Sequence, residues 1–224
     1  MAYTNNHMKL ARLHNTVTTE PYWHIQITVL MAIVLQLLLS SKLSVGPKFI
    51  VAGAETLLLI ALTIFTSDRK YVVLKIRRAL AILLIAIVSL ANISSLVLII
   101  HNLLNTHTIN GKELLLSALA IYLTNIIIFG LWYWELDDPK AADSRAVETA
   151  PSDFFFPQMG TTHAASWNPT FLDYLYISVT NASAFSPTDT LPLTHRAKLL
   201  MALQSLTSLV TVALVAARAV NILS

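Results

Sequence analysis

Residues 178–200 read SVTNASAFSPTDTLPLTHRAKLL. An aromatic-rich apolar run precedes this stretch and a long apolar tail follows it. It is rich in hydroxyl side chains and carries a single acid, Asp189, between Thr188 and Thr190. The run before it decides how it is read. Residues 170–185, TFLDYLYISVTNASAF, are opened by Thr170 after Pro169 and predict a helix of about 16 residues. A helix needs roughly 20 apolar residues to cross a bilayer, so this one is too short. A short helix, a polar loop and then a full-length apolar run is the pattern of a re-entrant segment. Such irregular backbone is tolerated at membrane depth only where it is buried in protein or lines a water-filled cavity.

Working outward, the chain of 224 residues is 55% hydrophobic and only 12% charged, about half the usual share of charge in a soluble domain. The mean hydropathy of +0.65 agrees. These values define a polytopic integral membrane protein in the lipid bilayer. The absence of cysteine excludes disulfides and thiolate metal sites. A net charge of +3 is too small and too dispersed for a nucleic-acid partner. The first apolar run starts too late and continues too far for a cleaved signal peptide.

The apolar pattern predicts an all-α membrane protein with five transmembrane helices, at about 24–40, 49–66, 76–101, 113–134 and 195–223, and a re-entrant pore helix and loop before the last one. Gly46-Pro47 predicts a tight turn between the first two spans. Residues 135–169 are polar, acidic and proline-containing, and predict a surface loop. Trp132, Tyr133 and Trp134 are expected at the interfacial end of the fourth span. Phe171, Tyr174 and Tyr176 are expected to pack the short helix against its neighbours.

Polar residues inside spans are candidates for function. Glu55 lies in the second span, where an ionised carboxylate is costly unless paired, protonated or wet. One reading pairs it with Arg77 or Arg78, and the other gives it a proton or cation role. Asn92 and Asn125 read as amides that hydrogen-bond across helices. DRKYVVLKIRR, residues 68–78, carries five basic residues. Only Lys75 and Arg78 keep a three-residue spacing, so it reads as a membrane-surface anchor that sets topology. In the last span Gln204, Ser208 and Thr211 share one helical face, continued by Val215 and Arg218. That stripe either packs against a helix or faces water. His101, His107 and His163 lack metal-ligand spacing, so no metal is expected, and no cofactor.

The C-terminal half, residues 113–224, resembles the pore module of tetrameric potassium-type channels. The resemblance divides it into an outer helix at 113–134, a polar loop at 135–169, a pore helix and filter-like loop at 170–194, and an inner helix at 195–223. Residues 1–112 form a separate region of three transmembrane helices. The family pattern runs Thr-x-x-Thr-x-Gly-Tyr-Gly-Asp, with Pro and Thr shortly after. Asp189, Pro192 and Thr194 match the residues past the filter without gaps, and Ser183 stands where a Thr begins it. Ser186-Pro187-Thr188 replaces Gly-Tyr-Gly. Glycine lets successive carbonyls turn inward, whereas proline fixes φ and lacks an N–H. Either the loop lines a wider pore with Ser186, Thr188 and Asp189, or it no longer conducts. The whole chain also resembles small bacterial integral membrane proteins of unassigned function.

The resemblance implies a homotetramer in the bacterial cytoplasmic membrane that passes monovalent or divalent cations. Ser183, Ala184, Phe185, Ser186, Pro187, Thr188 and Asp189 would form the filter or pore mouth. Four Asp189 side chains would make an acidic ring. Gln204, Ser208, Thr211 and Val215 would line the cavity. The rival readings are a non-conducting protein with a channel-like fold, in which Phe185 and Pro187 plug the axis, and a proton-coupled transporter using Glu55. The transporter reading lacks the internal repeat common in that class. No nucleophile–base pair or metal cluster points to an enzyme. The positive-inside rule puts residues 67–78, the N-terminus and the re-entrant loop in the cytoplasm, with the C-terminus outside. The channel resemblance implies the opposite, an outward-facing loop.

Overall fold

The computed structural model describes residues 23–39, 43, 48–65, 71–105, 110–137, 152–161, 167–183 and 190–223. Helices form over Trp23–Leu38 (α1), Lys48–Phe65 (α2), Tyr71–Asn105 (α3) and Gly111–Asp137 (α4). A short strand at Phe154–Phe155 (β1) leads into a 3₁₀ turn at Pro157–Gly160. The chain then forms the short helix Phe171–Ser183 (α5), the strand Leu191–Pro192 (β2) and the last helix His195–Leu223 (α6). Helices occupy all five expected spans, and the short helix lies where its apolar run placed it. The Gly46-Pro47 turn lies outside the described residues.

Among the described residues, three helices are long and apolar enough to cross a bilayer: Ile76–Leu103 within α3, Gly111–Asp137, and His195–Ala217 within α6. In α1 and α2 the apolar stretches are shorter, Gln26–Leu38 and Ala52–Ala61. The three long apolar helices mark the chain as an integral membrane protein.

The central element is α4. Two-thirds (67%) of its most apolar stretch is buried, against 22% for α6. It packs against α1, α3, α5 and α6. Ile127, Ile128 and Leu131 meet Val29 and Ile33 of α1, Ala52 of α2, and Leu84, Ile85 and Val88 of α3 in one apolar cluster. Nearer the start of α4, Leu114, Ala118 and Ile121 pack with Leu96 and Ile99 of α3, and Leu214 and Val215 of α6 close over them. On another side of α4, Phe129 and Tyr133 join Phe154, Phe156, Tyr174, Ile177, Ala197 and Met201. Burial of such side chains against one another, rather than helix propensity, sets this order.

Three local expectations differ from the structure. The third helix starts before the expected residue 76, because α3 already begins at Tyr71 within the basic stretch. Apolar Tyr71, Val72, Val73 and Leu74 extend its helical pattern, and Arg78 is anchored on α4, 3.7 Å from the Glu135 carboxylate and donating to the Glu135 carbonyl at 3.3 Å. Residues 135–169 are not uniformly a surface loop. Glu135 and Asp137 are buried in the last turn of α4, and Asp153, Phe154 and Phe156 are buried too. β1 pairs antiparallel with β2, Phe154 opposite Pro192 and Phe155 opposite Leu191. Tyr133 is not an interfacial anchor. It has no exposure, while Trp132 donates its indole N–H to Ser89 Oγ on α3 at 3.0 Å and Trp134 meets the Phe171 ring edge-on.

Candidate functional site

The short helix α5 begins with a cap at Thr170. Thr170 is followed three residues later by Asp173, whose Oδ2 accepts both the Thr170 backbone N–H and its hydroxyl, each at 2.7 Å. This is one half of a capping box, the acid reaching back to the N-cap N–H, and the acid in the first turn is also favoured by the helix dipole. From there α5 runs along α4 in the opposite direction. Phe171 meets Trp134 near the end of α4. The Tyr174 hydroxyl donates to Asp137 Oδ2 at 2.8 Å. One turn on, Leu175 lies over Gly130, where a Cβ would sit 3.3 Å from the Leu175 Cα. Further along, the Ser178 hydroxyl donates to the Ile126 carbonyl at 2.6 Å. From Asp137 to Ile126 is about 16 Å along α4.

Helix α6 starts at the same end and runs the same way as α5. Thr194 caps it, its Oγ1 accepting the Ala197 N–H at 3.3 Å. The two helices are joined by buried polar groups. Gln204 Nε2 donates to the Ser178 carbonyl at 2.9 Å and to its hydroxyl at 2.6 Å. Gln204 Oε1 accepts from the Tyr133 hydroxyl at 2.6 Å and from Asn181 Nδ2 at 2.8 Å. Asn181 Nδ2 also donates to the Met201 carbonyl at 3.0 Å, and the Ser205 hydroxyl donates to Asn181 Oδ1 at 3.1 Å. Two turns of α4 further on, Asn125 Nδ2 donates to Ser208 Oγ at 3.0 Å. Asn125 thus bonds across helices, as its mid-span position predicts.

Of the two readings of the α6 stripe, the structure of the chain shows the packed one. Gln204, Ser208 and Thr211 are 0%, 0% and 1% exposed. Gln204 and Ser208 bond to α4 and α5 of the same chain, Thr211 donates to its own helix at the Thr207 carbonyl, and Val215 packs on the α3–α4 cluster. They do not face a water-filled space at the surface of the chain. The amide and hydroxyls satisfy one another, which is how buried polar groups avoid the cost of desolvation. The outward face of α6 is apolar instead, with Leu199, Leu203, Leu206, Leu209 and Val212 exposed. The Arg218 side chain lies outside the described set.

A second polar group ties the ends of the segment to α4. The Asp137 carboxylate accepts the Ser152 hydroxyl at 2.9 Å, the Asp153 N–H and the Tyr174 hydroxyl. The Asp153 carboxylate accepts the Thr194 hydroxyl and the Arg196 Nε, the latter at 2.8 Å, and its carbonyl accepts the Leu193 N–H at 2.8 Å. Asp153 is nearly enclosed while Arg196 is largely exposed, so the enclosed acid is held chiefly by fixed donors. The spacing of the acids along the chain does not predict this clasp. The signal was the apolar triplet Phe154-Phe155-Phe156, out of place in a surface loop.

Of the expected filter residues, Ser183 is the last residue of α5, exposed, with its hydroxyl donating to the Val179 carbonyl at 2.7 Å. Ala184, Phe185, Ser186, Pro187, Thr188 and Asp189 lie outside the described residues. Past them, Thr190 is buried, Pro192 lies in β2 and Thr194 in the clasp. The expected Phe171 and Tyr174 contacts are present, but Tyr176 is largely exposed. Glu55 lies elsewhere, enclosed in the N-terminal helices. Among the described residues it makes no ion pair with Arg77 or Arg78, and Arg78 pairs with Glu135. Asn92 is buried in α3.

The fold and polar groups define a helical integral membrane protein in which a half-length helix is bound between two long ones. None of the family models, curated proteins or solved structures compared with the chain matches it.

Proposed function

We propose that the chain is a pore-loop membrane channel that passes cations through a homotetramer in a bacterial cytoplasmic membrane. Its resemblance is to potassium-type channels, with Ser-Pro-Thr in place of the family's glycines. In this reading α1 and α2 also cross the bilayer, giving five spans, and α5 with the loop after it is re-entrant. Ser183, Ala184, Phe185, Ser186, Pro187, Thr188 and Asp189 form the mouth or filter. One observation carries the reading. The half-length helix starts at the end where α6 starts, runs parallel to α6, and stops near the middle of α4, while β2 lies back at the starting end. The eight links from Ser183 to Leu191 reach at most about 28 Å, enough for that return.

A second reading keeps the architecture without conduction. It is favoured by the apolar outward face of α6 and the inward-turned Gln204 and Ser208. Phe185 and Pro187 then close the axis.

Reconstitution into liposomes separates the two. Channel function gives cation flux that falls several-fold in Asp189→Asn, as loss of an acidic ring requires. Absence of flux for every monovalent and divalent cation, in tetramers of verified integrity, overturns conduction in favour of the second reading. A monomer in mild detergent and in lipid overturns the tetramer.

A further inference from the structure

Glu55 is the only acid in α2, and it is fully enclosed. The elements packed against α2 are α1 and α3. Its partner is a neutral amide, Gln36 of α1. With the amide nitrogen turned to Glu55, Gln36 donates to both carboxylate oxygens, at 3.0 and 2.8 Å.

Among the described residues no ion pair reaches Glu55. The titratable groups of the neighbouring elements are His24 on α1 and Lys75, Arg77, Arg78 and His101 on α3, with Lys48 at the start of α2 itself. Arg78 is ten residues from Val88, about 15 Å along α3, and His101 thirteen, about 20 Å. His24 is twelve residues from Gln36, about 18 Å along α1. On α4 the charged residues are Lys112, Glu113, Glu135 and Asp137, all near its ends. A neutral amide cannot offset a full negative charge in an apolar wall.

We propose that Glu55 and Gln36 form a proton-binding site within the N-terminal helices, with the Gln36 amide as the hydrogen-bond partner of the carboxyl group. The site is independent of the pore reading, which uses none of these residues.

Infrared spectroscopy of the whole protein in lipid tests it. The expected result is a protonated-carboxyl C=O band that is lost in Glu55→Gln, kept in Glu135→Gln, and bleached reversibly as pH is raised. Glu55→Gln is isosteric and leaves an amide–amide pair, so the fold is retained. In Gln36→Leu the band moves to the frequency of a carboxyl without a hydrogen-bond partner. Unchanged carboxyl intensity in Glu55→Gln overturns the site. A band that persists at strongly alkaline pH overturns reversible proton binding. No shift in Gln36→Leu overturns the role of the amide. Each readout is separate from ion flux, so failure of the channel reading leaves this test intact.

Discussion

The Tyr133 hydroxyl donates to Gln204 Oε1 at 2.6 Å in a site without solvent exposure, and Asn181 donates to the same oxygen at 2.8 Å. The sharing sets an order of mutational effects. In Tyr133→Phe the Gln204 oxygen keeps its second donor, so no buried atom is orphaned. The cost is about 1 kcal/mol, in line with the modest net value of hydrogen bonds between membrane helices. Gln204→Leu is worse. It removes the acceptor of the Tyr133 O–H and leaves one Asn181 N–H with only a weak 3.4 Å contact to the Tyr133 oxygen, at about 1–3 kcal/mol for each weakened group. Thermal unfolding in detergent is expected to rank Gln204→Leu well below Tyr133→Phe, and equal losses would overturn the shared-acceptor account. That Gln204, Ser208 and Thr211 share a helical face was legible from their spacing. Which way the face turns was not, because direction depends on Tyr133, Asn125 and Ser178 arriving from other parts of the chain. The same limit hid the partner of Glu55, an amide nineteen residues earlier in the sequence rather than a following arginine.

Among the elements, the long helices and the short one were legible because each is a sustained apolar run with a distinct start, such as Thr170 or Thr194. β1 was not. Two residues carry no alternating pattern, and the strand exists because Leu191 and Pro192 lie beside it while Tyr133 and Tyr174 cover Phe154 edge-on, with ring centroids 5.2 and 6.2 Å away. The contact between α4 and α5 depends on one missing side chain. A Cβ on Gly130 would lie 3.2 Å from Leu175 Cδ1 and 3.3 Å from its Cα, and the backbone atom cannot swing aside. Gly130→Val is expected to lift α5 from α4 and to destabilise by about 1–3 kcal/mol. Its signature is a lowered melting temperature together with faster proteolysis between Phe171 and Ser183. An unchanged melting temperature would mean that α5 has room to retreat.

Across the whole molecule, the basic side chains Arg77, Arg78, Arg196 and Lys198 lie at the end where α4 finishes and α5 and α6 begin, while Lys112 marks the opposite end. The positive-inside rule puts the first end in the cytoplasm, the reverse of the channel resemblance. Because the chain lacks cysteine, single cysteines report the orientation directly. Asn168→Cys and Lys112→Cys replace exposed residues near opposite ends. In intact cells an impermeant maleimide is expected to label Lys112→Cys alone, and labelling of Asn168→Cys alone would reverse the orientation. The grip of the Asp137 carboxylate on Ser152 and Asp153 has a consequence of a different kind. It joins the end of α4 to the segment that carries β1 through side-chain and backbone contacts. The helices that end at Asp137 and the segment that starts at Ser152 therefore carry matching docking surfaces, so two separately made polypeptides, 1–137 and 152–224, are expected to copurify when coexpressed, and failure to copurify would show that these contacts do not suffice.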